Sequence, residues 1–593
     1  MNRKLTLDYG LRWDYATLLS EQYGRMQNAA FNLPNPAAGG RNGAVIYGGN
    51  CNCNFNNNYP FAFGPRIGLA YKLNDKTVLR VGGGISYGTS PNNAFLTYSV
   101  PDFFNFVDQP VAGLPAQQLK YGNPYAPGNP FGNAPLVYPD FRPHFPFTTA
   151  PGYTPPLSPF ISIDRNAGRL PRITQWSVGI QREVSRGMVL DVSYVGNRGV
   201  WWTAPTLSTY AYNSLQLSDV KAAGLDPTNP ADLQLLVTPI SSPLVQQRFQ
   251  GLQVVTAANG FKTVPSVYPG FPATQLLQQA LRPYPQFYGV PPFLGPPLGS
   301  TWYDALQLKF TKRYSHGLDF QYAFTYSREF GLGVNSDTGY LTPNAPPIND
   351  VYNYAQNKQI SAFERPLVSI ISLNYQTPRI VGDSKGVKAL SWLSRDWTLG
   401  AILRYQSGQL LPVSKSNNNI LGQLARGVFP VFNNPAVWGG GATYQNLVPG
   451  QPLLSVDPNC HCFDPTKQLV LNPKAWTDVG AGQFGNAPAY QEGYRWQRQP
   501  QESMSFGRVF PLAKEGKVTL QVRFEFQNIF NRVAYGTPTT TNPQALTFAT
   551  NPFGNGQLGA LSSGFGFVNT LGGAPFGSPE NPRTGQFVAR LQF

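Results

Sequence analysis

The chain is 593 residues long and short of charge: Asp, Glu, Lys and Arg make up 12% of it, where about 25% is usual in soluble domains. It also has no apolar run approaching the roughly 20 residues that a membrane-crossing helix needs, and its mean hydropathy is slightly negative, at -0.25. These two deficits argue against a helical membrane protein and fit a soluble globule poorly. A wall of strands, apolar on one side and polar on the other, reconciles them. Histidine is scarce, at 3 residues (His144, His316 and His461), and no GxSxG, HExxH or GxxxxGKS/T spacing occurs. Nucleophilic, zinc-peptidase and phosphate-cradling chemistry therefore lack a constellation, and the chain reads as a non-enzyme without cofactor. Four cysteines stand as Cys51-Asn52-Cys53 and Cys460-His461-Cys462. Zinc ligand pairs are normally spaced more widely, and an even count favours disulfides, within each pair or between them, with a metal site as the alternative.

What is present is alternation. In Lys517 to Phe530, Val518, Leu520, Val522, Phe524 and Phe526 alternate with Thr519, Gln521, Arg523, Glu525 and Gln527; a helix would scatter those apolar residues around its circumference. Leu5 to Tyr15 alternates likewise, as does Arg583 to Phe593, where Phe587, Ala589, Leu591 and Phe593 share one side and Gln586, Arg590 and Gln592 the other. Similar runs at 66–73, 77–87, 174–184, 189–196, 305–312, 318–327, 367–375, 397–406 and 502–510 bring the expectation to about twelve strands.

The connections alternate too. Asn74-Asp75, Ser185 to Gly187, Ser315 to Gly317 and Ala513 to Gly516 are tight turns, with 377–392 a longer link of the same class, whereas 16–61, 88–169, 198–299, 331–362, 408–499 and 532–582 are long excursions. Short links on one side and long loops on the other are the pattern of an outer-membrane barrel, with the short side periplasmic. Pro is scarce within the strands, as ladder bonding requires. Aromatics are expected in two girdles: Trp13, Tyr15, Tyr87, Trp176, Tyr194, Trp302, Tyr303, Tyr326, Phe363 and Tyr405 above, and Tyr71, Tyr314, Tyr375, Trp397 and Phe593 below. Gly82 to Gly84 suggest a bend or bulge. A soluble propeller or sandwich is the rival fold, but no internal repeat of fixed period is visible.

The net charge is +16, with the bases dispersed rather than clustered. Arg12, Arg66, Arg80, Lys309, Arg404, Arg523 and Arg590 fall on the side inferred to face the lumen, with Asp8, Asp14, Asp191, Asp319 and Glu525 as partners. Lumen solvation and ion pairing explain them, or a positive funnel for anionic ligands, or contact with the phosphates of outer-leaflet lipid; nucleic acid is not expected as a partner. Residues 101–160 and 284–302 interleave aromatics with Pro and Gly. They read as loops packed on one another, or as stacking surfaces for a ligand. Short helices are expected at 232–236 and 275–281.

The motifs LTLDYGLRWDY (Leu5 to Tyr15), FGPRIGLAYKL (Phe63 to Leu73), QWSVGIQREV (Gln175 to Val184), SYVGNRG (Ser193 to Gly199), YDALQLKFTKRYSHGLDFQYAFTYS (Tyr303 to Ser327) and FEFQNIFNR (Phe524 to Arg532) resemble the barrel of TonB-dependent outer-membrane transporters, and more narrowly the Oar-like group. The ending in Phe593, with Phe587 and Leu591 before it, resembles the signal that the barrel-assembly machinery reads. The resemblance implies an all-β fold, an antiparallel transmembrane β-barrel of about 22 strands. This chain would supply about twelve of them as a carboxy-terminal portion over 1–593, without plug, sandwich domain or signal peptide. It also implies uptake of a large, scarce ligand (oligosaccharide, peptide or siderophore), a setting in outer-membrane lipid, and a TonB-type energy coupler acting through the plug. A passive pore or a surface adhesin is the alternative.

Overall fold

The computed structural model describes the chain apart from residues 1–3, 18–26, 49–56, 89–161, 203–212, 250–266, 334–348, 417–442, 513–517, 546–558, 571–581 and isolated positions between them. Twelve strands follow one another in a single antiparallel path. They are β1 (Leu5–Asp14), β2 (Ala62–Asn74), β3 (Thr77–Tyr87), β4 (Arg172–Ser185), β5 (Met188–Trp202), β6 (Gly299–Ser315), β7 (Leu318–Leu332), β8 (Leu367–Gln376), β9 (Trp397–Gln406), β10 (Gln501–Pro511), β11 (Thr519–Gln527) and β12 (Thr584–Gln592). Short Lys358–Ile360 adds a thirteenth strand beside β7. Each strand bonds to the next in sequence, and β1 and β12 stand at the two ends of the order. All expected strands are present, several extended by a turn-ward residue or more because ladder bonding continues past the last alternating side chain.

The register joins one polar face across the whole sheet. Gly10 pairs Arg66 and Arg66 pairs Gly84; Arg80 pairs Gly179; Gln181 pairs Asp191, which pairs Lys309. Beyond Lys309 the same face continues through Ala323, Ile370, Arg404, Gln501, Ser505, Glu525 and Gln586. The other face carries Tyr9, Ile67, Val178, Leu306, Phe506, Phe524 and Phe587, all exposed. An apolar sheet face of that extent left uncovered is what a lipid-facing wall presents. No described helix is long and apolar enough to cross a membrane.

Three local expectations are corrected. The register of β3 with β4 runs from Thr77 to Tyr87 without a shift, so Gly82 to Gly84 make no bulge there. Part of their role is space: a Cβ on Gly84 would stand 3.2 Å from that of Arg66, and one on Gly10 2.7 Å from its Nε. The link 377–392 is no simple turn, because it carries a ten-residue helix, Lys385–Ser394. Tyr303 leaves the upper girdle, since it shares the parity of Ala305 and Lys309 and so belongs to the polar face.

The long connections all leave from one end, and their described parts pack into a cap. Within the described part of 203–298 lie α1 (Leu217–Ala222), α2 (Pro230–Leu236), α3 (Pro243–Arg248) and α4 (Leu277–Ala280), two more than the sequence suggested. Asn229 caps α2 by accepting the Ala231 N–H at 2.9 Å, with Pro230 at its first turn. Their apolar sides meet in a cluster of Leu215, Val220, Leu225, Leu233, Leu236, Val245 and Leu277.

Candidate functional site: the polar face and the folded outer cap

The seven basic residues expected on the lumen side share the polar face by register, and several have partners there. Arg12 pairs Asp14 at 2.7 Å and Arg523 pairs Glu525 at 2.5 Å. Arg80 donates to Gln181 at 3.0 Å and Arg404 to Gln406 at 2.8 Å. Lys309 stands opposite Asp191, Arg66 between Gly10 and Gly84, and Arg590 opposite Gln521. A hollow of about 500 Å³ indents this face, lined among others by Ser372, Asn374, Gly400, Ile402, Ser505 and Glu525. Phe587 and Leu591 lie on the apolar face of β12, Phe587 5.2 Å from Phe524 ring to ring, and Phe593 follows the strand fully exposed.

The cap has its own core. Leu411, Val413, Tyr444, Leu471, Trp476, Tyr494 and Trp496 from the β9–β10 connection pack with Phe565 and Val568 from the β11–β12 connection. Burial pushes the Tyr444 and Tyr494 phenols far above their ordinary range and the Lys415 ammonium below its own. Loops also hold one another by hydrogen bonds. Gln286 donates to the Asn42 and Gly43 carbonyls at 2.7 and 2.9 Å, and Thr443 to Asn349 at 2.6 Å. For the described part of 284–302, packing against other loops is thus visible, while 101–160 lies outside the described residues.

Where cap meets wall, two carboxylates are buried. Glu364, with no exposed side-chain surface, bridges Arg495 and, at 3.6 Å, Arg328; Arg328 also pairs Glu492. Arg365 beside it is pushed below its ordinary range, first by burial and then by the Arg495 and Arg404 guanidinium groups. Glu502 pairs Arg532 at 2.7 Å and accepts the Tyr405 hydroxyl at 3.0 Å. Sequence reasoning missed these clusters. Their only advance signal was a charged residue in the apolar register at a strand end, as at Glu502, and at Asp304, which pairs Arg198 at 2.8 Å.

The sulfurs of Cys460 and Cys462 are bonded to each other, and Cys51 and Cys53 lie outside the described residues, as does the turn Ala513 to Gly516. His316 sits in the turn between β6 and β7. Among the described residues no group of three or more His, Cys, Asp or Glu side chains is placed to hold a metal.

A single antiparallel wall with one apolar face, one polar face and a folded cap on one rim is that of an outer-membrane β-barrel protein. Residues 1–567 match the outer membrane beta barrel domain family. The chain belongs to that family, and its location is the outer membrane. No curated protein matches it significantly. Among solved structures it is similar to the outer membrane transporter YddB from Escherichia coli (8% identity, 89% of this chain and 41% of that one, TM-score 0.32). It is similar also to the ferric citrate transporter FecA (8%, 99% and 43%, TM-score 0.32) and the ferric-catecholate import receptor Fiu from E. coli K12 (9%, 100% and 42%, TM-score 0.30). The chain spans about two fifths of the length of these proteins.

Proposed function

We propose that the chain is the carboxy-terminal wall of a TonB-dependent receptor of the Oar-like group, taking up a large ligand captured by the outer cap. The observation that carries this reading is the pair of free sheet ends. β1 and β12 are not paired with each other among the described residues, and a bilayer tolerates no open strand edge. Further strands between them, giving about 22 in all, satisfy both edges and leave a lumen wide enough for a plug. The basic polar face then lines the space between wall and plug, where Arg12–Asp14 and Arg523–Glu525 are already internally balanced. Ligand capture falls to the cap, whose core gives the loops fixed shape. Energised passage requires a plug that engages the periplasmic coupler.

The test is a panel of cysteine pairs across β1 and β12, in a background with the native cysteines replaced, on protein assembled in the outer membrane. The receptor reading expects no cross-link between the two strands and uptake that stops when the energy coupler is removed. Efficient cross-linking with no coupler-dependent uptake would overturn it in favour of a self-closed passive pore or adhesin.

A further inference from the structure

Among the described residues, the short-link side of the wall carries one element that hairpin geometry does not need. Helix α5 (Lys385–Ser394) joins β8 to β9. Ser384 caps its start, Oγ accepting the Val387 N–H at 3.2 Å. Its last carbonyls are taken by the wall: the Trp397 indole donates to Leu393 O at 2.7 Å, and the Arg508 guanidinium donates to Trp392 O. Trp397 and Arg508 are register partners on the apolar face of β9 and β10. The helix is therefore pinned to the outward side of the wall, at its short-link rim.

Its sides are reversed from those of a helix on a soluble protein. Among the described side chains of the helix Val387, Ser391 and Ser394 are part-covered, while Leu390, Trp392 and Leu393 are exposed at 55%, 54% and 59%. On a helical wheel Trp392, Ala389, Leu393 and Leu390 fall within one arc of about 160°, shared with Lys385 and Gly386 of the first turn. Beneath it Arg508, only 6% exposed, lies 5.0 Å from the Trp392 and Phe510 ring centroids and 5.4 Å from that of Trp397. Its charge is thus placed at the carboxy-terminal end of the helix, where a cation is favoured.

We propose that α5 lies in the headgroup layer of the periplasmic leaflet, with Leu390, Trp392 and Leu393 inserted at the acyl boundary, and anchors the rim of the wall to phospholipid. The occupant follows from continuity. The exposed arc runs into the lipid-facing band through Trp397, stacked 4.7 Å from Phe506 on the same face. Apolar insertion, an interfacial Trp, and the bases Lys385 and Arg395 at the two ends of the helix are the features of a membrane-surface helix. The inference rests on the outer-membrane location of the wall.

The experiment places a benzophenone amino acid at Leu390, Leu393, Ser391 or Phe524 of the full protein assembled in its membrane, with irradiation followed by mass spectrometry of the adducts. Position 524, in the middle of the apolar face, reports whether the wall meets lipid at all. Phospholipid adducts at 390, 393 and 524, with little at 391, are expected. Adducts at 524 alone, or a protein or self-dimer adduct at 390 and 393, overturn the anchor while leaving the wall intact. No lipid adduct at any position overturns the membrane wall itself. A Leu390→Gln, Leu393→Gln variant that still assembles is expected to lose the lipid adduct from a benzophenone at Trp392; retention of that adduct at full yield counts against insertion.

Discussion

Trp176 lies across Gly196, its direct partner on the neighbouring strand, so that a Cβ added to Gly196 would fall on Cε2, Cζ2 and Nε1 of the indole. Arg198, which pairs Asp304, lies over the same ring at 5.4 Å from its centroid. The glycine is what lets an interfacial Trp lie along the wall. Gly196→Val is expected to destabilise the protein by about 1–3 kcal/mol through overpacking, with Gly196→Ala acting in the same direction. A urea midpoint measured on membrane-assembled protein checks it, and pairing Gly196→Ala with Trp176→Ala should restore part of the loss.

Gly317 closes the β6–β7 turn at φ +78, and a Cβ there would run into the Gln376 carbonyl oxygen. His316 before it is also left-handed, at φ +53. Gly317→Ala therefore meets both a backbone penalty and a collision, and roughly 1–2 kcal/mol of stability should be lost. The same denaturation assay measures it. Gly187→Ala, at φ +74 but with an open position 3.9 Å from Arg313, should cost less.

Strand after strand could be read from alternation alone, because a wall with lipid on one side and polar groups on the other imposes the period of two on every residue. Parity placed Arg66 and Arg404 on one face although 338 positions separate them. Tyr303 was misassigned because an aromatic near a strand end was weighed by ring type rather than by parity. Helix α5 was illegible because Gly386, a poor helix former, stands in its first turn and its apolar arc faces outward, leaving a pattern that resembles an ordinary link. The Arg495–Glu364 contact spans 131 positions, and nothing local announces such a pair. Cap architecture depends on contacts of that kind, so the sequence marked the loops without showing their core.

Tyr494 is fully buried, and among the described residues its hydroxyl has no hydrogen-bond partner. Removing the hydroxyl spares that desolvation, so Tyr494→Phe should stabilise the cap by about 1 kcal/mol. The phenols of Tyr444 and Tyr494 are pushed up by burial, while in an unfolded chain they ionise near about pH 10. Between those values the folded cap holds more protons than the unfolded one, so its stability is full below about pH 10 and falls as pH rises further. Tyrosinate absorbance should accordingly include a slow component that appears with cap unfolding, smaller in Tyr494→Phe. Prompt ionisation of all tyrosines in the intact protein would contradict the burial argument.

Glu364 joins the cap to the wall, since its carboxylate meets Arg495 from the β9–β10 connection and Arg328 from the upper end of β7. Arg365 crowds the same place, and Arg495 also donates to the Gly408 carbonyl at 3.3 Å. Glu364→Ala would leave these guanidinium groups without their central acid, and losing one partner of a buried pair costs about 3–5 kcal/mol. Because the strand ladders do not pass through Glu364, the loss should appear as early proteolysis within 408–499 while the strands stay protected. Glu364→Gln keeps hydrogen-bond acceptors and should fall between. The double variant Glu364→Leu, Arg495→Leu separates charge from contact: with both ions gone and apolar volume in their place, cap protection should recover beyond that of Glu364→Ala. If it does not, the site's contribution lies in its directed hydrogen bonds, including the 3.1 Å bond from Arg495 to the Glu364 carbonyl, rather than in the neutralisation of buried charge.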